Sequence, residues 1–147
     1  MSAQQRGGNT EDGVAVQPWT EAFAAQDPEA FAAAFAEDVV LEASGLRVPV
    51  TGREDVARVM GAASGIYESL VFTHETASGT RRYLEWEATA LGGVALSGCT
   101  ILTTGDDGRI VRAVIQHRPL DGLLAFSAEL GRRLAGVVAP VHFHPAG

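Results

Sequence analysis

The chain has 147 residues, 46% of them hydrophobic and 20% charged, which suits one globular domain with a core of its own. A net charge of −7 and scattered basic residues argue against a nucleic-acid surface, which needs clustered cations. The single cysteine excludes an intrachain disulfide and a thiolate zinc site. No apolar run reaches the ~18 residues of a membrane helix, and the polar opening lacks the apolar stretch of a signal peptide. We expect a cytoplasmic protein without cofactor, metal, nucleic-acid partner or membrane partner.

The N-terminal third of the chain has the spacing of helices. Residues 1–14 are polar and predict a disordered tail. Apolar residues then recur at helical spacing from Trp19, which predicts a first helix. Asp27-Pro28 is an N-cap followed by proline at the first helical position, so a second helix is predicted over PEAFAAAFAED. In that helix Phe31 and Phe35 would share one face.

A strand and a third helix are predicted next. The segment VVLEASGLRVPV reads as a short strand or hairpin with its turn at Ser44-Gly45. REDVARVMGAA has an apolar stripe that includes Val56, Val59 and Met60, and it predicts an amphipathic helix.

From residue 70 the apolar period changes to two, as in strands. Four such runs follow, VFTHETA, RRYLEWEATAL, VALSGCTILTT and RIVRAVIQHR, separated by glycine-containing turns. Short links predict sequential antiparallel pairing. Pro119 ends the last strand because proline has no amide proton for the ladder. A helix over DGLLAFSAELGRRLAG and a loose tail, residues 139–147, complete the chain.

Helices followed by a curved antiparallel sheet make an α+β domain, which we expect over residues 15–138. One face of the sheet should pack under the helices. In the second long strand that face carries Leu84, Trp86 and further alanines, and in the last strand it carries Val111, Ala113, Ile115 and then His117.

Three segments resemble the nuclear transport factor 2-like superfamily, and in particular its group of SnoaL-like polyketide cyclases and ketosteroid isomerases. They are WTEAFAAQDPEAFAAAFAEDVVLEA, VTGREDV and YLEWEATALGGVALSGCTILTTGDDGRIVRAVIQ, within residues 17–120. The resemblance implies a cone of helices and curved sheet around an apolar pocket, with an extra C-terminal helix here. It also implies a homodimer and a small hydrophobic organic ligand. Fold alone does not give the activity, because the same cone hosts enzymes, binders and scaffolds.

The chain lacks the acid–base groups of the families that it resembles. Against the ketosteroid isomerases, Trp19 stands at the place of the catalytic tyrosine and Ala43 at that of the aspartate base. The second aspartate corresponds to Cys99 or Thr100. Limonene-epoxide hydrolases use an Asp-Arg-Asp set, and Ile115 stands where its second aspartate would be.

Two histidines are the candidate catalytic residues. His117 follows the apolar face of the last strand, where desolvation would lower its pKa and make it a base near neutral pH. The alternative is a structural histidine bonded to a backbone carbonyl. His74 would face the same cavity if its strand alternates regularly, and otherwise it is a surface or subunit-interface residue.

The predicted pocket lining comes from the helices and the inner face of the sheet. We expect the following residues there: Trp19, Phe23, Leu41, Ala43, Val56, Met60, Phe72, Trp86, Cys99, Ala113 and Ile115. Each of them could instead be an ordinary core residue. The resemblance favours a SnoaL-like enzyme for cyclisation, isomerisation or dehydration of a polyketide-like intermediate. The alternative is a non-catalytic ligand-binding or accessory protein of the same fold.

Overall fold

The computed structural model describes residues 16–145, with side chains from residue 18 onward, so the predicted disordered tail lies outside the described residues. The helices are α1 (Val16–Ala25), α2 (Pro28–Ala34), α3 (Arg53–Ile66) and α4 (Leu120–Arg133). The strands are β1 (Phe35–Ala43), β2 (Val50–Thr51), β3 (Tyr67–Ser78), β4 (Arg81–Ala90), β5 (Val94–Thr104) and β6 (Ile110–Arg118). The helices pack on a curved sheet of these six strands, which confirms the predicted α+β class.

The sheet is mixed, which corrects the expectation of a wholly antiparallel one. Its strand order is β2-β1-β6-β5-β4-β3. The four long strands β3 to β6 pair in sequence and antiparallel, as predicted. However, β1 pairs parallel with β6, so that Leu41 lies beside Ala113 and Ala43 beside Ile115. This pairing brings the end of β1 next to His117.

The second helix is shorter than predicted. Asp27 caps α2 as expected, because its side chain accepts a hydrogen bond from the backbone N–H of Glu29. The helix ends at Ala34, and Phe35 is extended (φ −100°, ψ 143°) and begins β1. Phe31 and Phe35 still meet, because both rings are fully buried with centroids 6.3 Å apart. The packing of β1 in the sheet therefore outweighs the helix propensity of the alanine-rich segment.

Two irregularities change which side chains face the core. The pairing of β3 with β4 shifts between Phe72 and His74, so these residues lie opposite Trp86 and Glu85 and thus on different faces of the sheet. In β6 the pairing with β5 shifts at Thr104, and the buried residue is Ile110 while Val111 is half-buried. Val111 was predicted to be the inward residue, and this expectation is wrong.

The core lies between the helices and the inner face of the sheet. Leu84, Trp86, Ala88 and Ala90 of β4 are buried there, as the alternation predicts. Their neighbours Glu85 and Glu87 are exposed on the outer face. Within residues 16–145 no helix has both the length and the apolar character to cross a membrane.

The segment after α4 packs against the domain instead of being loose. Pro140–His142 form one turn of 3-10 helix, and Phe143 is buried and pairs with Leu46 in an isolated bridge. Residues 140–145 are called the C-terminal segment below. This segment therefore contacts the loop that follows β1.

Candidate functional site

His117, near the end of β6, lies in an enclosure of aromatic rings. The centroid of its imidazole is 5.1 Å from that of Trp86, 5.1 Å from that of Phe126 and 6.4 Å from that of Tyr67. Trp86 comes from β4, Phe126 from α4 and Tyr67 from the start of β3, and all three are buried. His117 as a whole residue is half-buried. We call these four residues the aromatic site.

Both ring nitrogens of His117 have polar neighbours. Nε2 lies 2.8 Å from the hydroxyl oxygen of Tyr67. Nδ1 lies 3.5 Å from the hydroxyl oxygen of Ser44, at the long end of the hydrogen-bond range. The backbone N–H of His117 donates to the same Ser44 oxygen at 2.9 Å. The imidazole is therefore held from both sides.

Burial keeps both members of the hydrogen-bonded pair neutral. Desolvation lowers the pKa of His117 from its ordinary 6.5 to about 4, since the charged imidazolium is the form that burial penalises. Desolvation also raises the pKa of the Tyr67 hydroxyl, whose charged form is the phenolate. At neutral pH the site thus holds an uncharged imidazole and an uncharged phenol. An imidazole with a pKa near 4 is a base of about the strength of an aspartate.

Gly98 makes room for the aromatic site. It lies opposite Trp86 on one side and opposite His117 on the other, in the central strand β5. A Cβ at this position would overlap the Trp86 ring and the Gln116 carbonyl oxygen. The indole N–H of Trp86 donates to Thr100 Oγ1 at 3.0 Å, which orients the ring. The absence of a side chain at residue 98 therefore lets Trp86 and His117 meet.

Two surface depressions are each lined in part by one residue of the hydrogen-bonded pair. A cleft of about 260 Å³ lies between α1, α3 and β3, and its lining includes Phe23, Tyr67 and Phe72. A groove of about 420 Å³ lies where β1 and β6 run side by side, and its lining includes Ser44 and His117. These two sites are called the α1–β3 cleft and the β1–β6 groove below. Tyr67 thus lies between the cleft and His117, and His117 lies between Tyr67 and the groove.

Most of the predicted lining residues lie on the inner side of the sheet. Phe23 and Phe72 line the α1–β3 cleft, and Ala43 and Ile115 line the β1–β6 groove. The other inward residues are packed at 0–2% exposure: Trp19, Leu41, Val56, Met60, Trp86 and Ala113. The ligand-binding role of these residues stays a prediction.

Two predicted site residues lie on the wrong face. His74 is 77% exposed on the outer face, where its Nδ1 lies 3.4 Å from a Glu85 carboxylate oxygen. The shift in β3 after Phe72 turns it away from His117. Cys99 also lies opposite Glu85 in the sheet and so faces outward, while its neighbour Thr100 is buried. Burial and the charge of Glu85 raise the pKa of the Cys99 thiol. Neither residue belongs to the aromatic site.

Trp19 contributes a buried donor without a partner. Its side chain is fully buried, and within residues 16–145 its Nε1 has no hydrogen-bond partner. An unpaired buried donor costs about 1–3 kcal/mol. Phe23 lies beside the Trp19 ring, with centroids 5.3 Å apart, and separates it from the α1–β3 cleft.

Sequence reasoning missed Tyr67, Ser44 and Phe126. The predicted strand began after Tyr67, whereas β3 begins at that residue. Ser44 was interpreted as a turn residue only, and its contact with His117 depends on the parallel pairing of β1 and β6. Phe126 had a detectable signal, because the buried residues Leu123, Phe126 and Leu130 of α4 follow helical spacing.

In the described part of the chain, no three histidine, cysteine or acidic side chains cluster in a way that could hold a metal ion.

Comparison with known proteins agrees with this architecture. A family model described as a SnoaL-like domain matches residues 16–113. A steroid delta-isomerase from Pseudomonas aeruginosa is 27% identical, with a TM-score of 0.77, and the match covers 87% of this chain and 94% of that one. A search of curated proteins finds no match.

Two further solved structures share the fold. An uncharacterised bacterial protein with a cystatin-like fold from Silicibacter pomeroyi is 22% identical, with a TM-score of 0.77, over 82% of this chain and 84% of that one. A candidate polyketide cyclase from Sinorhizobium meliloti is 26% identical, with a TM-score of 0.59, over 69% and 93%. These matches confirm the predicted nuclear transport factor 2-like fold. The chain belongs to the SnoaL-like domain family.

Proposed function

We propose that this protein is a small-molecule enzyme of the SnoaL-like type in which His117 and Tyr67 transfer a proton to and from a hydrophobic, polyketide-like substrate. The reaction class is cyclisation, isomerisation or dehydration, each of which moves a proton at or near a carbonyl group. The observation that carries the proposal is the 2.8 Å contact between the Tyr67 hydroxyl and His117 Nε2 inside the aromatic site. The structural similarity to a steroid delta-isomerase and a candidate polyketide cyclase supports this reaction class.

The site supports a relay of one proton. A substrate in the α1–β3 cleft would lie against Tyr67, which lines that cleft. The Tyr67 oxygen accepts the proton of the substrate while its own proton passes to Nε2 of His117. The resulting imidazolium lies against the rings of Trp86 and Phe126, whose π electrons attract a cation. Return of the proton to another substrate atom completes an isomerisation or a cyclisation.

The surroundings of the cleft favour an apolar ligand with one polar end. Phe23 and Phe72 contribute aromatic surface, with ring centroids 5.9 Å apart. Thr20, Gln26, Glu68 and Ser69 contribute polar side chains to the same lining. Clefts of this composition hold an apolar body and orient it through a few polar contacts. Its volume of about 260 Å³ fits a small ring system better than an extended chain.

The second candidate function is a ligand-binding or accessory protein without catalysis. The observation that favours it is the packing of the aromatic site, since Tyr67, Trp86 and Phe126 are each at most 8% exposed. In that case the contact between Tyr67 and His117 stabilises the fold. The α1–β3 cleft then binds a ligand without altering it chemically.

Deuterium exchange tests proton transfer without knowledge of the final product. A panel of small cyclic ketones and polyketide-type diketones is incubated with the protein in D2O, and deuterium uptake is followed by mass spectrometry. Wild type is compared with His117→Gln, and His74→Gln is the matched control because His74 is exposed on the outer face. We expect wild type and His74→Gln to exchange at equal rates and His117→Gln to be slower by about 10²–10⁴-fold.

Two results would contradict the proposed enzymatic function. Equal exchange by wild type and His117→Gln would remove His117 from the reaction. Binding of panel compounds, seen as protein chemical-shift changes, without any exchange by wild type would favour the ligand-binding protein.

A further inference from the structure

We propose that Ser44 is a positioning residue for His117, and that α4 and the C-terminal segment hold Ser44 in place through Ser127. The catalytic meaning of this inference rests on the proposed function, but the positioning itself can be measured on the protein alone. The juxtaposition that carries it is a set of hydrogen bonds that link His117 to Ser44, the next residue Gly45 to Ser127, and Ser127 to His144.

Ser44 meets His117 at two points. Its hydroxyl oxygen accepts the backbone N–H of His117 at 2.9 Å, which fixes where that oxygen lies. The same oxygen lies 3.5 Å from Nδ1 of the imidazole. A seryl hydroxyl can accept two hydrogen bonds and donate one. The Ser44 hydroxyl oxygen can therefore accept hydrogen bonds from both the backbone N–H and the Nδ1–H of His117.

The buried hydroxyl of Tyr67 favours one tautomer of His117 over the other. If Nε2 carried the proton, it would donate to the Tyr67 oxygen, and the tyrosine's own hydrogen would be left without a described acceptor. A buried donor without a partner costs about 1–3 kcal/mol. If Nδ1 carries the proton, it points at Ser44, and Tyr67 donates to Nε2 at 2.8 Å. The second arrangement pairs every one of these groups.

This tautomer is also the one that the proposed relay requires. Nε2 must have a free lone pair to receive the proton of Tyr67, so the imidazole proton must be on Nδ1. Ser44 stabilises that state by accepting from Nδ1. The remaining hydrogen of the Ser44 hydroxyl is free to bond to water in the β1–β6 groove, which Ser44 lines.

Ser44 is held by its neighbours in the chain. Its backbone N–H donates to the carbonyl oxygen of Ile115 at 2.9 Å, which continues the pairing of β1 with β6. The carbonyl oxygen of the next residue, Gly45, accepts the hydroxyl of Ser127 at 2.6 Å. Ser127 belongs to α4 and is fully buried. Helix α4 thus fixes the turn on which Ser44 lies.

The C-terminal segment completes the support. The backbone N–H of His144 donates to the Ser127 hydroxyl oxygen at 2.9 Å, so that oxygen is held from two sides. The backbone N–H of Arg47 donates to the carbonyl oxygen of His142 at 2.8 Å. Phe143 packs so closely on Gly131 of α4 that an added Cβ would lie 3.0 Å from the Phe143 Cβ. The segment therefore clamps the loop after β1 against α4.

Nitrogen-15 NMR of the imidazole tests the inference, since protonated and unprotonated ring nitrogens resonate far apart. We expect wild-type His117 to be protonated on Nδ1. Ser44→Ala should shift at least a tenth of the population to the Nε2-protonated tautomer, and Ser44→Thr should restore the wild-type state because it keeps the hydroxyl. Ser78→Ala is the matched control, since Ser78 is exposed at the far end of β3. An Nε2-protonated wild type, or an unchanged tautomer in Ser44→Ala, would overturn the role of Ser44.

The support through α4 is tested in the same spectra. Ser127→Ala and, as an independent change, Gly131→Ala should each move the His117 nitrogen signals in the direction of Ser44→Ala. Gly65→Ala is the control glycine, because it lies on the exposed side of α3. Unchanged His117 signals in a folded Ser127→Ala or Gly131→Ala variant would show that α4 and the C-terminal segment do not hold Ser44 in place. These spectra need no substrate, so an unaffected exchange rate in His117→Gln would contradict the proposed function while leaving the positioning result intact.

Discussion

The imidazole of His117 and the phenol ring of Tyr67 are nearly parallel, with an angle of 6° between their planes, and Nε2 lies 2.8 Å from the hydroxyl oxygen. These residues are 50 positions apart in the chain, at the end of β6 and the start of β3. Their contact joins the α1–β3 cleft to the β1–β6 groove.

Removal of the Tyr67 hydroxyl should affect both stability and activity. In Tyr67→Phe the ring remains, but Nε2 of His117 loses its hydrogen-bond partner. We expect the free energy of unfolding to fall by about 1–2 kcal/mol, measured by urea denaturation. Deuterium exchange with the ketone panel should fall by about 10²-fold. Tyr83→Phe is the control, because Tyr83 lies half-buried on the outer face and should change stability by less than ~0.5 kcal/mol.

The stability of the fold should depend on pH through His117. The unfolded chain takes up a proton at His117 near pH 6.5, whereas the folded protein does so only near pH 4. Between these values the unfolded state binds more protons, so stability falls as the pH falls. His117 therefore lowers the unfolding free energy by at most ~3 kcal/mol as the pH falls, and this loss is complete below about pH 4. In His117→Gln the decrease in unfolding free energy from pH 7 to pH 4.5 should be smaller than in wild type, and equal decreases would contradict the buried imidazole.

Gly98 should tolerate no side chain. In Gly98→Ala the new methyl group overlaps Trp86 and the backbone of β6. We expect a loss of at least ~2 kcal/mol in unfolding free energy and a changed tryptophan fluorescence spectrum. Gly65→Ala in α3 is the matched control, with an expected gain of up to ~1 kcal/mol from reduced entropy of the unfolded chain. A stable Gly98→Ala variant with native fluorescence would show that Trp86 is not held by this contact.

The route of the ligand can be tested by filling one depression at a time. Ala24 is exposed in the α1–β3 cleft, and Gln116 is exposed in the β1–β6 groove. Ala24→Trp should reduce exchange with the ketone panel by at least tenfold because the indole occupies the cleft. Gln116→Trp should leave the rate within a factor of two. The reverse pattern would show that the substrate reaches His117 through the groove.

Much of the fold could be predicted from the sequence because its signals are local. The two-residue period of β4 correctly identifies the inward position of Trp86, and Asp27-Pro28 correctly marks the start of α2. The end of α2 could not be predicted, because PEAFAAAFAED has the composition of a helix throughout. The parallel pairing of β1 with β6 is a long-range contact that no local pattern encodes.

The candidate site was less accessible to sequence reasoning. Alternation in β6 and the family resemblance both pointed to His117, and the structure places it in the aromatic site. The bulge in β3 reversed the face of His74, because a single extra residue changes the alternation beyond it. Tyr67 and Ser44 were not predicted as site residues, because their contacts with His117 form only where separate elements meet. Homodimer formation, expected from the family resemblance, stays a prediction.

At neutral pH the imidazole of His117 is uncharged and desolvated, and its Nε2 is bonded to Tyr67. An NMR pH titration of the imidazole nitrogens tests this state most directly, with the His117 signal identified by its absence from His117→Gln. We expect this signal to titrate near pH 4 and to stay unchanged between pH 5.5 and pH 8. Titration of His117 at pH 6 or above would rule out this neutral, desolvated state, because it would show a solvated imidazole.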